Sequence, residues 1–455
     1  MKRNPFASLL VGLLLLTWAA PLQADQFGLF TYRLVEGEVE ITDYPEDAVG
    51  DVEIPSEIEG KPVTSIGRSA FSECWQLTSV SIPDSVTSIG DLAFKECIDL
   101  ISVSIPEGVT EIPYQAFSEC SSLTSVSIPD SVTSIGERAF SECNGLTSVS
   151  IPEGVPSIGE RAFSECNGLT SVSIPEGVTS IGERAFLRCS SLVSVTIPDT
   201  VTSVGGAAFH GCTGLTSVTI GEGVSSIGHG AFWGCTGLTA FEVDALNPAY
   251  SSLEGGLFDK DRTLLIQFPI GNQARSHAIP DSVTVIGFGA FSRCTGLTSI
   301  TIPAGVTGIG DQAFSHCTGL TSITLPAGVK EIGSLAFQGC TGLAAAIFLG
   351  HAPESVSSVE FSNVALDFSV YFIPLRFGFT SPIWRGYPAV MLDSAPDEKE
   401  TWLLGQGLPL ETNLNEVHNG DGISLLTAYA LNLDLDRPGN GLPVPTMDGE
   451  MSAVT

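Results

Sequence analysis

The sequence predicts a β-rich solenoid: a ladder of parallel strands, a second ladder of shorter strands, turns between them, and a small helical module at the C-terminal end. Three observations carry that expectation. All eleven cysteines lie on one lattice, from Cys74 to Cys235 at steps of 23 residues and again at Cys294, Cys317 and Cys340. A phenylalanine stands three residues before each of them, from Phe71 to Phe337, and a leucine three residues after, from Leu77 to Leu343. Between these markers "LTSVSIP" alternates apolar and small polar residues, the period of a half-buried strand. A fixed period of this size means stacked units, none of which can bury its apolar side chains alone.

In chain order, residues 1–24 join Lys2 and Arg3 to the apolar run Ala7 to Ala20 and the small residue Ala24. They read as a secretory signal, cleaved after Ala24 and too short to span a bilayer. Residues 25–66 are expected to form an N-terminal β cap, and residues 67–343 the solenoid of eleven repeats. Within a unit, Val126 and Ile128 point inward while Ser125 and Ser127 face solvent. The following I-P-[DE]-[SG] suits a type I turn with Pro second. "TSIG" is a second short strand ending at a Gly, and "ERAFSEC" closes the coil with a turn or one helical turn.

Between Cys235 and Cys294 the step widens to 59 residues. The insertion, about 244–280, contains "GLFDKDRTLLIQFPIG", which reads as a hairpin around Lys260, Asp261 and Arg262. Its turn is expected to be exposed, so that trimming "DKDR" leaves stability unchanged. Residues 344–392, with "AAAIFLGHAP" and "SVYFIP", are expected to cover the last open ladder edge as a C-terminal β cap. Residues 393–455 read as the helical module, with helices in "DEKETWLLGQGLP" and "ISLLTAYALNLD" around "NLNEVHNGDG", followed by a polar tail.

The unit "LTSVSIPDSVTSIGERAFSEC" resembles the BspA-like leucine-rich repeats of bacterial secreted and cell-surface proteins, over roughly residues 30 to 390. The entry segment "FTYRLVEGEVEITDYPEDAVGDVEIPSEIEGKPVTSIGRSAF" is similar to that family's N-terminal cap. The resemblance implies a leucine-rich-repeat solenoid and a non-catalytic, adhesion-like role. The C-terminal segment resembles a small helical module of secreted bacterial proteins. A further β domain often follows that module, and is expected to be missing after "MSAVT".

The repeated slots offer little chemistry. Equivalent side chains of adjacent coils point the same way about 4.8 Å apart, whereas a disulfide needs Cβ atoms near ~3.8 Å and inclined toward each other. The cysteines are therefore read as buried, reduced spacers, not disulfides or metal ligands. His210, His229, His277, His316, His351 and His418 show no paired metal spacing. No G-x-S-x-G, Walker loop or G-x-G-x-x-G is present. "NGDGIS" is similar to a calcium loop, but Val417 stands where the first acid belongs, and a capped helix start is the plainer reading. Asp84, Glu107, Asp130, Glu153, Glu176, Asp199 and Asp281 form one carboxylate row, read as a solvated edge because it recurs in coil after coil. The strand face is a Ser and Thr array without aromatic platforms, which counts against sugar binding; its Ser residues lack the methyl that an ice-binding Thr array presents.

One column departs from its own consensus. The residue before each Cys is Glu73, Glu96, Glu119, Glu142 and Glu165, then Arg188, Gly211, Gly234, Arg293, His316 and Gly339. Repeat drift is the bland reading. The directed one is an interface, because Trp, Tyr and Arg anchor partner sites. Arg188, His210, Trp233, Arg262, Arg293 and His316 are its candidate residues.

Formal net charge is −32, which excludes nucleic acid and acidic membrane surfaces as partners. The expectation is an exported protein, secreted or at the cell surface, monomeric, not inserted in a membrane and not an enzyme, with no cofactor and no metal. It would bind an extracellular protein or surface polymer. The alternatives are a structural spacer carrying the C-terminal module, an accessory to a polysaccharide-acting enzyme, and an ice-binding protein. Thiol titration should find few reactive groups in the folded chain and all eleven after denaturation without reductant; disulfides between neighbouring copies would refute the reading.

Overall fold

A computed structural model describes residues 25–356 and 360–406. The leader, the "NGDGIS" loop, His418 and the second expected helix lie outside the described residues. The chain forms a β-solenoid of about 15 turns with parallel ladders and almost no helix. At its entry the strands Phe30–Val35 and Glu38–Asp43 pair antiparallel, and Lys61–Ile66 then joins parallel to Glu38–Asp43. From there the "SVS" strands pair parallel one repeat apart in a succession of short sheets, Val103 opposite Val126 and Val149 opposite Val172. A ladder of two-residue strands runs beside it, from Glu111–Ile112 to Ser226–Ile227. Gly ends each of these but the first, which Pro113 follows, because the coils nearly touch: a Cβ on Gly159 would lie 2.6 Å from the Gly136 carbonyl oxygen.

"ERAFSEC" forms turns, not a helix. Its amides alternate in direction. Those of Ala139, Ser141 and Cys143 donate within the coil, to Gly136, Arg138 and Phe140, while those of Arg138, Phe140 and Glu142 donate to Glu160, Ala162 and Ser164 of the next coil. Every other peptide is thus a bond along the solenoid axis, so the turn side is a ladder in its own right and its backbone groups are satisfied.

Inside, the rings from Phe71 to Phe232 stack at 5.0–5.5 Å with planes within 13° of parallel. Tyr44 lies 5.1 Å from Phe71 at the entry end, and beyond the insertion a second stack runs from Phe291 through Phe337 to Phe361, 5.0 Å from Phe337. The cysteines are free and buried. They do more than fill space: the Cys143 thiol donates to the Phe117 carbonyl of the preceding coil at 3.1 Å, and the same bond recurs from Cys97 to Phe71 and from Cys340 to Phe314. Burial pushes the Cys166 thiol up to about 12, which keeps it protonated and unreactive.

The insertion interrupts this regularity. Gly256–Asp259 and Leu264–Gln267 pair antiparallel as a hairpin, and Tyr250–Leu253 adds a third strand. Leu264–Gln267 then restarts the short-strand ladder by pairing parallel with Val285–Ile286. The core divides here as well, Leu257 belonging to one apolar cluster and its neighbour Phe258 to the other. The Tyr250 hydroxyl accepts the Ile227 amide at 2.9 Å, at the last strand of the first ladder. Buried Asn247 donates to the Gly221 and Val224 carbonyls and accepts from the Ala249 and Tyr250 amides.

The turn is exposed at Lys260 and Asp261, as expected, but it is not free of contacts. The Asp259 carboxylate accepts from the Thr263 and Leu264 amides at 2.7 and 2.8 Å, and the Lys260 ammonium binds the Ala245 and Asn247 carbonyls. The turn is tied to the joint it spans.

Beyond Cys340 the main ladder continues through Ala345–Phe348, Ser369–Phe372 and Tyr387–Met391, and Ile383–Trp384 folds back on the last of these. Helix α1, Glu398–Gly405, is capped by Asp397 in a reciprocal box with Glu400. Among the described residues no helix is long and apolar enough to cross a membrane.

Phe163→Ala, which removes a ring stacked on both sides, should cost about 3–5 kcal/mol. Cys143→Ala, which removes one thiol donor, should cost about 1 kcal/mol. Chemical denaturation checks both, and equal losses would misplace the source of stability.

Candidate functional site

The column before each Cys is set by backbone geometry. Its residues all have positive φ, from 63° at Glu73 through 58° at Arg188 to 71° at Gly339. A side chain in this region costs roughly 1–2 kcal/mol unless the residue is Gly. Gly211, Gly234 and Gly339 are therefore relief of strain, and carry no message about charge. Arg188, Arg293 and His316 accept the strain and also replace Glu.

Arg188 is 65% exposed and reaches back 3.4 Å to Glu165, the last acid of the column. Half-buried His210 stands one coil on, its amide neighbour Gly211 lying against the Arg188 stem. Burial first, then the guanidiniums of Arg188, Arg293 and Arg184, hold the His210 imidazole below its ordinary range. Three arginines therefore bear on one neutral histidine in a strongly acidic chain. Arg184, paired with Glu183 at 2.7 Å, was not among the sequence candidates. It sits in the second positive-φ column, with Arg138 and Arg161, and only the stacking brings it near His210.

Trp233 is half-buried and stacks on Phe288 at 4.8 Å, with His229 edge-on to both at 5.1 and 4.4 Å. The insertion explains the cluster. In the coil of Phe268 only Ile266 and Gln267 join strand to core ring, where the next coil uses Gly287, Phe288, Gly289 and Ala290. Trp233 and Phe288 meet across that shortened coil. A Cβ on Gly289 would lie 2.4 Å from the Trp233 ring. Trp233 is thus a packing residue at the joint, so its removal would disturb the fold as well as any surface.

His316 is exposed, its Nδ1 2.8 Å from the Ser315 hydroxyl and its ring over Gly339. Arg262 lies in the hairpin turn, where its carbonyl accepts from Ser282 at 2.9 Å. Neither is among the groups that bear on His210. The structure thus brings Arg188 beside the coil of His210 and packs Trp233 at the joint.

The carboxylate row borders a groove of about 550 Å³ that includes Glu176, Asp199, Glu242 and Asp244. Its acids serve the turns: Asp199 accepts the Glu222 amide at 2.9 Å and Glu176 the Thr200 hydroxyl at 3.3 Å. Among the described residues no three His, Cys, Asp or Glu side chains converge as a metal site.

One residue of the joint escaped sequence reasoning. His277 occupies the inward slot that Ile300 fills one coil later. Its side chain is 8% exposed, Nδ1 lies 3.8 Å from the Glu254 carboxylate, and Nε2 has no hydrogen-bond partner. The Phe268 ring packs on it at 4.4 Å.

Burial lowers its pKa, opposed by Glu254. The folded state thus resists its protonation. The stability this contributes is full above the unfolded value of about 6.5 and is lost as pH falls from there toward the folded value. His277→Val should gain about 1 kcal/mol at neutral pH by removing the unpaired nitrogen, and its melting temperature should fall less between pH 7 and pH 5. Parallel pH profiles for the two proteins would show that His277 does not titrate with unfolding.

Comparison with known proteins agrees with this architecture. The model of the BspA type leucine-rich repeat region matches in six copies, over residues 64–193, 156–277 and 268–373. A leucine-rich cell surface protein of Faecalibacterium prausnitzii is 30% identical, with 78% of this chain and 89% of that one covered at a TM-score of 0.58. A leucine-rich repeat protein of Bacteroides ovatus, 24% identical, shares the fold over 81% of this chain and 100% of its own at a TM-score of 0.52. One from Eubacterium ventriosum, 22% identical, does so over 76% and 77% at a TM-score of 0.51. No curated protein matches the chain.

Proposed function

This chain belongs to the BspA-type leucine-rich repeat family, and from that premise we propose that it is an exported, monomeric, non-catalytic scaffold that binds an extracellular protein, in an adhesion-like role. The observation that carries the reading is the change of the column from Glu165 to exposed Arg188 and, beyond the insertion, to exposed Arg293. In a chain of net charge −32 the surface as a whole repels acidic proteins, and a local cationic edge gives such a partner one orientation in which to approach. Arg188 and Arg293 are exposed, and guanidinium groups pair with carboxylates through two parallel hydrogen bonds. The neighbouring aromatic cluster is already packed, so little side-chain freedom is lost when a partner covers it. The likeness to a cell-surface protein supports placement at a bacterial surface.

Because Trp233 is needed for packing, the site is tested through its arginines. Arg188→Glu with Arg293→Glu should leave the melting temperature unchanged and weaken capture of an extracellular partner by roughly 2 kcal/mol or more. Glu96→Arg, at the acidic end of the same column, should matter less. Biolayer interferometry against a panel of extracellular matrix and bacterial surface proteins reads both. Capture that survives the double change moves the site elsewhere. No saturable binding by the unaltered chain favours the structural spacer, and turnover of a polysaccharide or peptide substrate would refute the non-catalytic reading.

A further inference from the structure

The strand face, whose Ser and Thr columns carry no aromatic residue before Tyr371 follows Ile347, gains a second one where α1 crosses it. Along this face the outward columns are mostly hydroxyl-bearing, Ser276, Ser299 and Ser322 in one and Thr301 and Thr324, after Ala278, in the other. One coil later they turn apolar: Ala345 follows Ser322, and Ile347 follows Thr324. Ala345 and Ile347 are fully buried against Leu392 and Leu404. That change of column is what docks α1 on the strand face, and it leaves the helix as an end wall to the hydroxyl groove. Between wall and face lies a cavity of about 720 Å³, lined by Ser322, Thr324 and Ile302 on the solenoid side and by Trp402, Thr401 and Asp397 on the helix side.

We propose that this cavity binds a neutral oligosaccharide, taking the end of a glycan chain whose remainder lies along the hydroxyl columns. A sugar presents hydroxyl groups at its edges and an apolar C–H face. The lining answers both. Each Ser or Thr hydroxyl donates one hydrogen bond and accepts others, so it pairs with a sugar hydroxyl in either sense. Ile302, Pro326, Leu349 and the rim of Trp402, 7% exposed, supply apolar surface.

The volume falls in the ~300–1,000 Å³ range of small-molecule sites, which join apolar walls to a few convergent polar groups. No basic side chain lines the cavity and Asp397 does, so an acidic glycan would bring its charge toward a carboxylate with no cation to answer it and the neutral class is preferred. The columns repeat at about 4.8 Å along the axis, so successive hydroxyls can follow an extended polymer coil by coil. This site is independent of the cationic edge and lies on different residues.

Isothermal titration of the full chain with neutral trisaccharides of glucose, mannose and N-acetylglucosamine, and with trigalacturonate as the acidic counterpart, tests it. At least one neutral trisaccharide should bind one to one and change tryptophan emission, and trigalacturonate should not bind. Ser322→Ala with Thr324→Val should weaken binding at least tenfold without moving the melting temperature. Trp402→Phe should abolish the emission change. Since Trp402 is buried, the strand variants carry the test if that protein is destabilised. Arg188→Glu with Arg293→Glu should leave sugar binding intact, and the strand variants should leave protein capture intact, so that either site can fail alone. Absence of binding by all three neutral sugars, equal binding of trigalacturonate, or indifference to the strand variants overturns the proposal.

Discussion

In this molecule every inward side chain must pack against its own copy one coil away. Translation along the axis, not complementarity between different surfaces, is the governing constraint. Phenylalanine satisfies it by stacking in parallel, Phe140 on Phe163 at 5.4 Å. Cysteine satisfies it because a small thiol can donate backward to the Phe carbonyl of the coil before while the next thiol does the same. A larger polar group in that slot would meet itself. The rule reaches the backbone, where every second amide of the turn side points along the axis and the positive-φ slots recur at fixed places.

Such order is fragile wherever the translation fails, and the insertion shows how the failure is repaired. The first short-strand ladder ends at Ile227, whose amide finds the Tyr250 hydroxyl. Asn247 takes up two carbonyls that a further regular coil would have served. The gap left by the shortened coil is filled by the ring of Trp233 against Phe288. These residues do with side chains what the regular coils do with backbone. His277, with a buried nitrogen left unpaired, is where the repair is incomplete.

Most of the fold was legible because a strict period states its geometry directly: equal spacing of Cys, Phe and Leu places them in one stacked row. Less was legible where function depends on departures from the period. The charge change at Arg188 was visible, but that Gly211 and Gly234 answer to positive φ was not, since nothing in a consensus reveals a dihedral angle. Trp233 reads from sequence as an exposed anchor because its slot holds Ser in Ser118 and Ser141; those serines are buried, and only the two residues missing from the next coil make room there for a ring against Phe288. Arg184 became part of the edge through stacking over a distance that sequence separation hides. The thiol donors were missed because Cys reads as a small apolar residue until its neighbouring carbonyl is seen.

The same constraint determines where a binding site can exist. A face that repeats coil after coil offers many equivalent positions, and a ligand that fits one fits its neighbours with nothing to fix register. A unique site requires that the translation be broken. The described chain breaks it strongly at two places besides the entry cap: at the joint, where the insertion lets Trp233 pack on Phe288 beside the arginine column, and at the end of the strand face, where Ala345 and Ile347 replace hydroxyls and α1 closes the groove. The first break changes electrostatics on the turn side. The second adds a wall to a hydroxyl surface that is otherwise open. They differ in chemistry because they interrupt different ladders, so occupation of one makes no demand on the other. A rigid solenoid between them then sets their separation, which is the mechanical property that a scaffold with two unlike ligands requires.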